Sequence, residues 1–147
     1  MNVSVRDFER VVFFTGAGMS AESGVPTYRG KGGIWKEYDW QQYACQPAFE
    51  RDPERVWEFH NYRRTLVAAC EPNGGHTLIA KAEKAIGSVV ITQNIDGLHQ
   101  RAGSEKVLEL HGSLWRTRCA HCRKRDHDTS APIGSLRCEC GEYKRPD

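Results

Sequence analysis

Hydrophobic positions gather in three short runs, set among longer stretches where they recur at wider spacing. Val11-Val12-Phe13-Phe14 is the first; four apolar residues, two of them β-branched, predict a short buried strand. Val89-Val90-Ile91-Thr92 predicts a second strand and Val107-Leu108-Glu109-Leu110 a third. Between the first two, the spacing is helical. Residues 47–70 predict a helix that Pro53 can open, with Val56, Phe59 and Arg63 on one face and Trp57 and His60 beside it. Glu71-Pro72-Asn73-Gly74-Gly75 breaks the pattern. Leu78, Ile79, Ala82, Ala85 and Ile86 then resume it, and Gly87 supplies a stop.

Each strand runs into a polar or glycine-rich turn: Gly16-Ala17-Gly18, Gln93-Asn94-Ile95-Asp96-Gly97 and His111-Gly112-Ser113. In an open parallel α/β sheet, ligands collect at the carboxyl ends of the strands. The pattern therefore brings Gly16, Asn94, Asp96 and His111 to one edge. Gly16 and Gly18 let the backbone turn tightly beside a ligand, and Ala21 takes the third small position of a G-x-G-x-x-G/A turn ahead of a helix start. Backbone N–H groups at such a start favour an anion. Val25-Pro26-Thr27-Tyr28-Arg29-Gly30-Lys31-Gly32-Gly33-Ile34-Trp35 predicts a long mobile loop. Glu37 and Asp39 sit near the spacing at which a dinucleotide fold places its ribose-binding carboxylate, but they follow no strand. The loop, and not that carboxylate, is the special part. Taken singly, Asn94 and Asp96 also read as turn and capping residues, Arg29 and Arg63 as surface charges, and His111 as a structural histidine.

Composition narrows the choices. The 147 residues, 39% hydrophobic and 27% charged, suit one globular domain with a small insert. A net charge of +2 is too small to argue for nucleic-acid or membrane binding, and neither is expected. Residues 116–145 hold eight Lys/Arg against four Asp/Glu, but the near absence of interleaved aromatics disfavours a nucleic-acid-binding ribbon. No apolar run has signal-peptide length, and none approaches the ~18 residues of a membrane span. A cytoplasmic, reducing setting follows, where cysteines are metal ligands or free thiols. Cys119, Cys122, Cys138 and Cys140 form two close pairs and predict a four-thiolate structural zinc site, with unmetallated thiols as the alternative and His121 as a possible substitute ligand. Cys45 and Cys70 read as ordinary buried thiols. His76, His99 and His127 receive no role.

With these residues in view, the chain resembles the sirtuins, NAD-dependent protein deacylases, from Val11 to Asp147. The resemblance rests on Gly16-Ala17-Gly18-Met19-Ser20-Ala21-Glu22-Ser23-Gly24-Val25-Pro26-Thr27-Tyr28-Arg29, on Thr92-Gln93-Asn94-Ile95-Asp96, on Leu110-His111-Gly112 and on the cysteine pairs, in that order. The stretch from Ala21 to Thr27 is most similar to the class III group of desuccinylases and bacterial deacylases. The resemblance implies an α/β fold with a Rossmann-like parallel sheet and a small zinc-ribbon module. It divides the chain into residues 1–118, the N-terminal part of the NAD-binding domain with a helical and loop insert at about 30–75, and residues 119–147, the zinc-binding module.

Roles follow from the same likeness. Gly16, Ala17, Gly18, Ser20 and Ala21 would cradle the NAD diphosphate. The loop with Tyr28, Arg29 and Trp35 would close over the nicotinamide ribose; Tyr28 stands where sirtuins usually have phenylalanine. Asn94, Ile95 and Asp96 would line the nicotinamide pocket, Gln93 would lie near the ribose, and His111 would be the general base. The implied reaction transfers the acyl group of an acylated-lysine protein to ADP-ribose, releasing nicotinamide. His60 and Arg63 fall where the acid-acyl class places a tyrosine and an arginine on a succinyl carboxylate, with His60 replacing the tyrosine. Sirtuins continue past Arg145-Pro146-Asp147 with a substrate-pairing Val-x-Phe-Gly-Glu segment and further strands. The expectation is a C-terminally truncated chain whose open sheet leaves an unpaired edge and an apolar face, with reduced stability and weak or no turnover alone. A non-catalytic NAD- or zinc-binding remnant is the alternative.

Overall fold

The computed structural model describes residues 4–28, 33–34 and 38–147; Arg29, Trp35 and Glu37 lie outside the described residues. The three apolar runs form strands β1 (Val12–Thr15), β2 (Val89–Thr92) and β3 (Val107–Glu109), all parallel and ordered β1-β2-β3. Phe14, Ile91 and Leu108 stand in register on one face, with Thr15, Thr92 and Glu109 next along the strands. The expectation that the first strand is buried holds for one face only. Phe14 is 62% exposed and Leu108 55%, because nothing among the described residues covers that side, whereas Val90 on the opposite side is wholly buried.

Among the described residues, six α-helices accompany the strands: α1 (Ala17–Ala21), α2 (Trp40–Tyr43), α3 (Gln46–Arg51), α4 (Pro53–Ala68), α5 (Gly74–Ile86) and α6 (Leu98–Arg101). The single helix expected over 47–70 is two. A residue before proline is pushed out of helical geometry, and Asp52, at φ −153° and ψ 85°, ends α3 while its carboxylate accepts the Arg55 N–H to cap α4. Asn73 caps α5 by accepting from the Gly75 and His76 amides, and its own N–H donates to His76 Nδ1. Gly87 closes α5 at φ +68°, a left-handed conformation that glycine adopts freely.

A second, antiparallel sheet follows, ordered β5-β4-β6, from β4 (Arg116–Cys119), β5 (Arg125–His127) and β6 (Lys144–Pro146). Helix α4 joins the two halves. Val56 and Trp57 pack with Ala48, Phe49 and Ile133, and Val67 packs with Leu114 and Trp115. Trp57 also donates its indole N–H to the Lys144 carbonyl at 2.7 Å, so its burial contributes on the order of 2–3 kcal/mol with no polar atom stranded.

Candidate functional site

At the carboxyl ends of the parallel strands, three polar side chains close on one another out of water. Ser20 Oγ of α1 donates to Asp96 at 2.7 Å, and Asn94 Nδ2 donates to Ser20 Oγ and to the Gly16 carbonyl, each at 3.0 Å. The Asn94 backbone N–H donates to Thr92 Oγ1, and the other Asp96 oxygen accepts the Leu98 N–H. All three side chains are buried and each is hydrogen-bonded, the condition under which buried polar groups stay in place at little cost. The turn that presents them needs Gly97 at φ +75°, where a Cβ would meet the Trp115 indole at 2.9 Å. Asn94 and Asp96 thus cap and bind neighbours, as their turn positions suggested, and also face the α1 start.

His111 follows β3 on the same edge and is exposed. Its Nδ1 lies 3.1 Å from the Gln93 carbonyl. A carbonyl only accepts, so Nδ1 is the donor of this bond and Nε2 is the ring nitrogen left for another partner. Two cavities meet at this imidazole. One, of about 750 Å³, is lined by Ala17, Thr27, Tyr28, Gln93, Asn94 and His111. The other, of about 260 Å³, reaches from His111 and Tyr28 past Ile95 to Phe49, His60 and Arg63. Gly16 and Gly18 leave open space above the first turn, where a Cβ at either would touch nothing within 4 Å. Gly18 and Ala21 are exposed and line neither cavity.

Arg63 is buried, with its guanidinium over the Tyr28 ring at 4.7 Å and near Phe59 at 5.9 Å, and among the described residues no carboxylate pairs with it. Burial first, then the Arg63 and Arg64 charges, push His60 down to about 3, so its ring is neutral. Its Nδ1 is buried with no hydrogen-bond partner among the described residues. Helix periodicity places Val56, His60 and Arg63 on the wall of one cavity. Cys45, expected to be simply buried, is half-buried on that same wall, because the short helices α2 and α3 leave its side facing the cavity; Cys70 is buried as expected.

The four cysteine sulfurs 119, 122, 138 and 140 lie within 4.8 Å of one another, with Cys119–Cys140 at 3.5 Å and Cys122–Cys138 at 3.7 Å. A tetrahedral zinc with bonds of about 2.3 Å needs sulfurs about 3.8 Å apart, so this donor set fits that ion. His121 is outside the cluster and contributes its backbone N–H to Cys119 Sγ. Burial opposes a Cys119 thiolate, but the His121 and Cys122 amides and the neighbouring thiols favour it more, holding it down at about 6.

Several participants escape a reading of the sequence. Thr15 Oγ1 donates to Thr92 Oγ1 at 2.8 Å and lies 3.0 Å from His99 Nε2 beneath the Asn94 amide; the four-residue α6 that carries His99 has no periodicity to detect. Arg64 is buried while its neighbour Arg63 lines the cavity. Its seven-residue spacing from Trp57, two helical turns, was the available signal.

The Sir2 family profile matches residues 16–147. An NAD-dependent protein deacylase of Aquifex aeolicus is 46% identical over 140 residues, covering 92% of this chain and 59% of that protein. The mitochondrial NAD-dependent protein deacylase sirtuin-5 of Danio rerio is 48% identical over 130 residues, covering 85% and 43%. Among solved structures, a mutant Sir2 homologue with ADP-ribose superposes at TM-score 0.85 with 44% identity, over 92% of this chain and 56% of that one. A Sir2 homologue in complex with NAD gives 0.81 at 44% identity, over 92% and 54%. The chain spans 59% of the length of the first of these relatives and 43% of the second.

Proposed function

The chain belongs to the Sir2 family, and on that premise we propose that it serves an NAD-dependent protein-lysine deacylase. Its substrates in this reading are acylated-lysine proteins, and its products are nicotinamide, free lysine and O-acyl-ADP-ribose. The observation that carries the reading is the meeting of Ser20, Asn94, Asp96 and His111 at one sheet edge beside a cavity of about 750 Å³, a volume suited to a small-molecule ligand. NAD, when bound, supplies the leaving nicotinamide and the ribose that accepts the acyl group.

The chain's own residues then divide the work. Gly16, Ala17, Gly18, Ser20 and Ala21 form the turn and helix start that receive the diphosphate, with open space at Gly16 and Gly18. Tyr28 covers the ribose and Gln93 flanks it; Arg29 and Trp35 are assigned to the ribose by their sequence positions alone. Asn94, Ile95 and Asp96 orient the nicotinamide, Asn94 being fixed by two hydrogen bonds from its own amide; a group already fixed loses little freedom on reaching the transition state. His111, with Nδ1 engaged by the Gln93 carbonyl, accepts a ribose hydroxyl proton at Nε2. Arg63, without an acidic partner among the described residues, and neutral His60 favour an acyl chain that ends in a carboxylate. Residues 119–147 form a structural zinc module on Cys119, Cys122, Cys138 and Cys140, beside the Rossmann-like part at 1–118. No described helix is long and apolar enough to cross a membrane, and the free thiols support a cytoplasmic setting.

A second reading, a non-catalytic NAD- or zinc-binding remnant, goes with the apolar side of the parallel sheet that no described residue covers. Nicotinamide release from acetyl- and succinyl-lysine peptides, read beside thermal shift with NAD, separates them. The deacylase gives NAD-dependent release that His111→Ala lowers by about 10²–10⁴. The remnant gives a thermal shift and no release, and absence of both defeats either reading. Arg63→Ala is expected to remove succinyl turnover and spare acetyl turnover; equal loss on the two peptides defeats the carboxylate preference.

A further inference from the structure

We propose that Arg64 is a positioning residue: its guanidinium fixes the strand-entry segment Leu114 and Trp115, and that segment holds the turn bearing Asn94 and Asp96. For turnover the inference rests on the deacylase reading; for geometry it stands alone.

Arg64 is 0% exposed, although arginine is among the residues least often buried. One residue along a helix turns the side chain by about 100°, so Arg63 reaches the cavity while Arg64 enters the opposite interior. There its Nε donates to the Ser130 carbonyl at 2.8 Å, Nη1 donates to the Leu114 carbonyl, and Nη2 donates to both the carbonyl and the carboxylate of Asp128. Its plane also lies over the Trp115 ring at 5.1 Å. A guanidinium carries five N–H donors in a rigid fork, and four hydrogen bonds tie this one to two separate segments. Those segments are themselves joined, since the Asp128 N–H donates to the Trp115 carbonyl at 2.9 Å.

From there the connection to the site is direct. The Leu114 N–H donates to the Ile95 carbonyl at 2.8 Å, and the Trp115 indole N–H donates to the Asp96 carbonyl at 2.7 Å. Gly97 lies flat against the same indole, with no room for a Cβ. The 95–97 turn is thus held from behind by two hydrogen bonds and one close contact, all from residues that Arg64 pins. A shift of Leu114 and Trp115 carries the Asp96 carboxylate with it, and Asp96 accepts from Ser20. Such a residue touches no reacting atom and acts through the Trp115–Asp96 bond.

Hydrogen exchange read by mass spectrometry on the full chain tests this without needing turnover. In Arg64→Lys, which keeps the charge and loses the fork, amides 94–98 and 114–116 are expected to exchange about tenfold faster, with 12–15 and 76–86 unchanged. Trp115→Phe keeps an aromatic side chain but loses the five-membered ring that carries the indole donor and touches Gly97, and is expected to loosen 94–98 alone. Where nicotinamide release is measurable, each variant lowers kcat about tenfold and leaves KM for the acylated peptide within about twofold. The double variant is expected to be no slower than the worse single one, since both act along one line. Faster exchange spread over the whole chain, or loosening of 114–116 with 94–98 unchanged, overturns the proposal. If Arg64→Lys fails to fold, unchanged exchange at 94–98 in Trp115→Phe overturns it by itself. A wild-type chain without turnover counts against the deacylase reading and leaves the exchange result to decide this one.

Discussion

The protein contains two three-stranded sheets built on opposite terms. The parallel sheet uses Val-Phe-Phe-Thr, Val-Val-Ile-Thr and Val-Leu-Glu, and it sinks one face into the interior. The antiparallel sheet uses Arg-Thr-Arg-Cys, Arg-Asp-His and Lys-Arg-Pro, which offer little apolar surface to bury. Its ion pairs, Lys144–Asp126 at 3.4 Å, Lys124–Glu139 at 3.0 Å and those of Arg118 and Arg125 with Asp147 at 3.8 and 3.5 Å, are partly or fully exposed, and such pairs contribute at most about 1 kcal/mol each. Cohesion in the second sheet therefore falls to its anchoring on α4 and to the cysteine cluster. The polar site sits on the first sheet, where burial already fixes the backbone and side chains can be spent on chemistry.

Removing the metal is the harshest test of that contrast. Structural zinc contributes apparent free energies of about 10–16 kcal/mol in small modules, far above anything the ion pairs supply. Protein purified with zinc is expected to carry one ion per chain. Chelation, or Cys119→Ser, is expected to expose amides 116–147 to rapid hydrogen exchange while β1 and β2 keep their protection. Equal protection of the second sheet with and without metal would show that its packing on α4 suffices, and the contrast would fail.

Acid is expected to act on the first sheet, with a smaller effect. Beneath the site, the His76 and His99 rings meet edge to face at 4.8 Å, both buried. Burial, and then the His76 charge, push His99 from 6.5 down to about 4, with Asp96 opposing; burial also lowers His76. The unfolded chain takes up these protons near 6.5 and the folded chain takes up that of His99 only near 4. Between those values the unfolded state binds more protons, so stability is full above pH 6.5 and falls as the pH drops toward 4. The loss for His99 is on the order of 2–3 kcal/mol. Urea midpoints across this window measure it, and His99→Gln is expected to flatten the slope. A flat wild-type profile would mean that the pair is not held neutral.

What the sequence disclosed follows the same divide. Val89, Val90 and Ile91 announce a strand because β-branched runs fit little else, and the cysteine spacing announces a metal because four thiols that close together have few other uses. The Asn94, Asp96 and His111 edge followed once the strands were known to be parallel. Hidden were features that depend on three-dimensional cover. The break at Asp52 rests on one residue's conformation ahead of Pro53. The inward turn of Arg64 is set by acceptors 50 or more residues away at Leu114, Asp128 and Ser130. Phe14 looks like a core residue in any window of sequence, and only the tertiary arrangement shows its face uncovered.

That uncovered face gives the gentlest test. Phe14 and Leu108 stand in register through Ile91, and both are more than half exposed. An apolar side chain already in water has little transfer free energy left to lose, and threonine is as suited to a strand as phenylalanine. Phe14→Thr is therefore expected to change unfolding free energy by no more than about 0.5 kcal/mol. The same change in the buried Val90, in the middle of the opposite face, strands a hydroxyl and is expected to cost about 1–3 kcal/mol. Dye binding to exposed apolar surface and self-association by sedimentation velocity are both expected to fall in Phe14→Thr. A loss of more than about 1.5 kcal/mol there would mean that the two faces of the sheet are packed alike, and the parallel sheet would then owe its stability to cover on both sides.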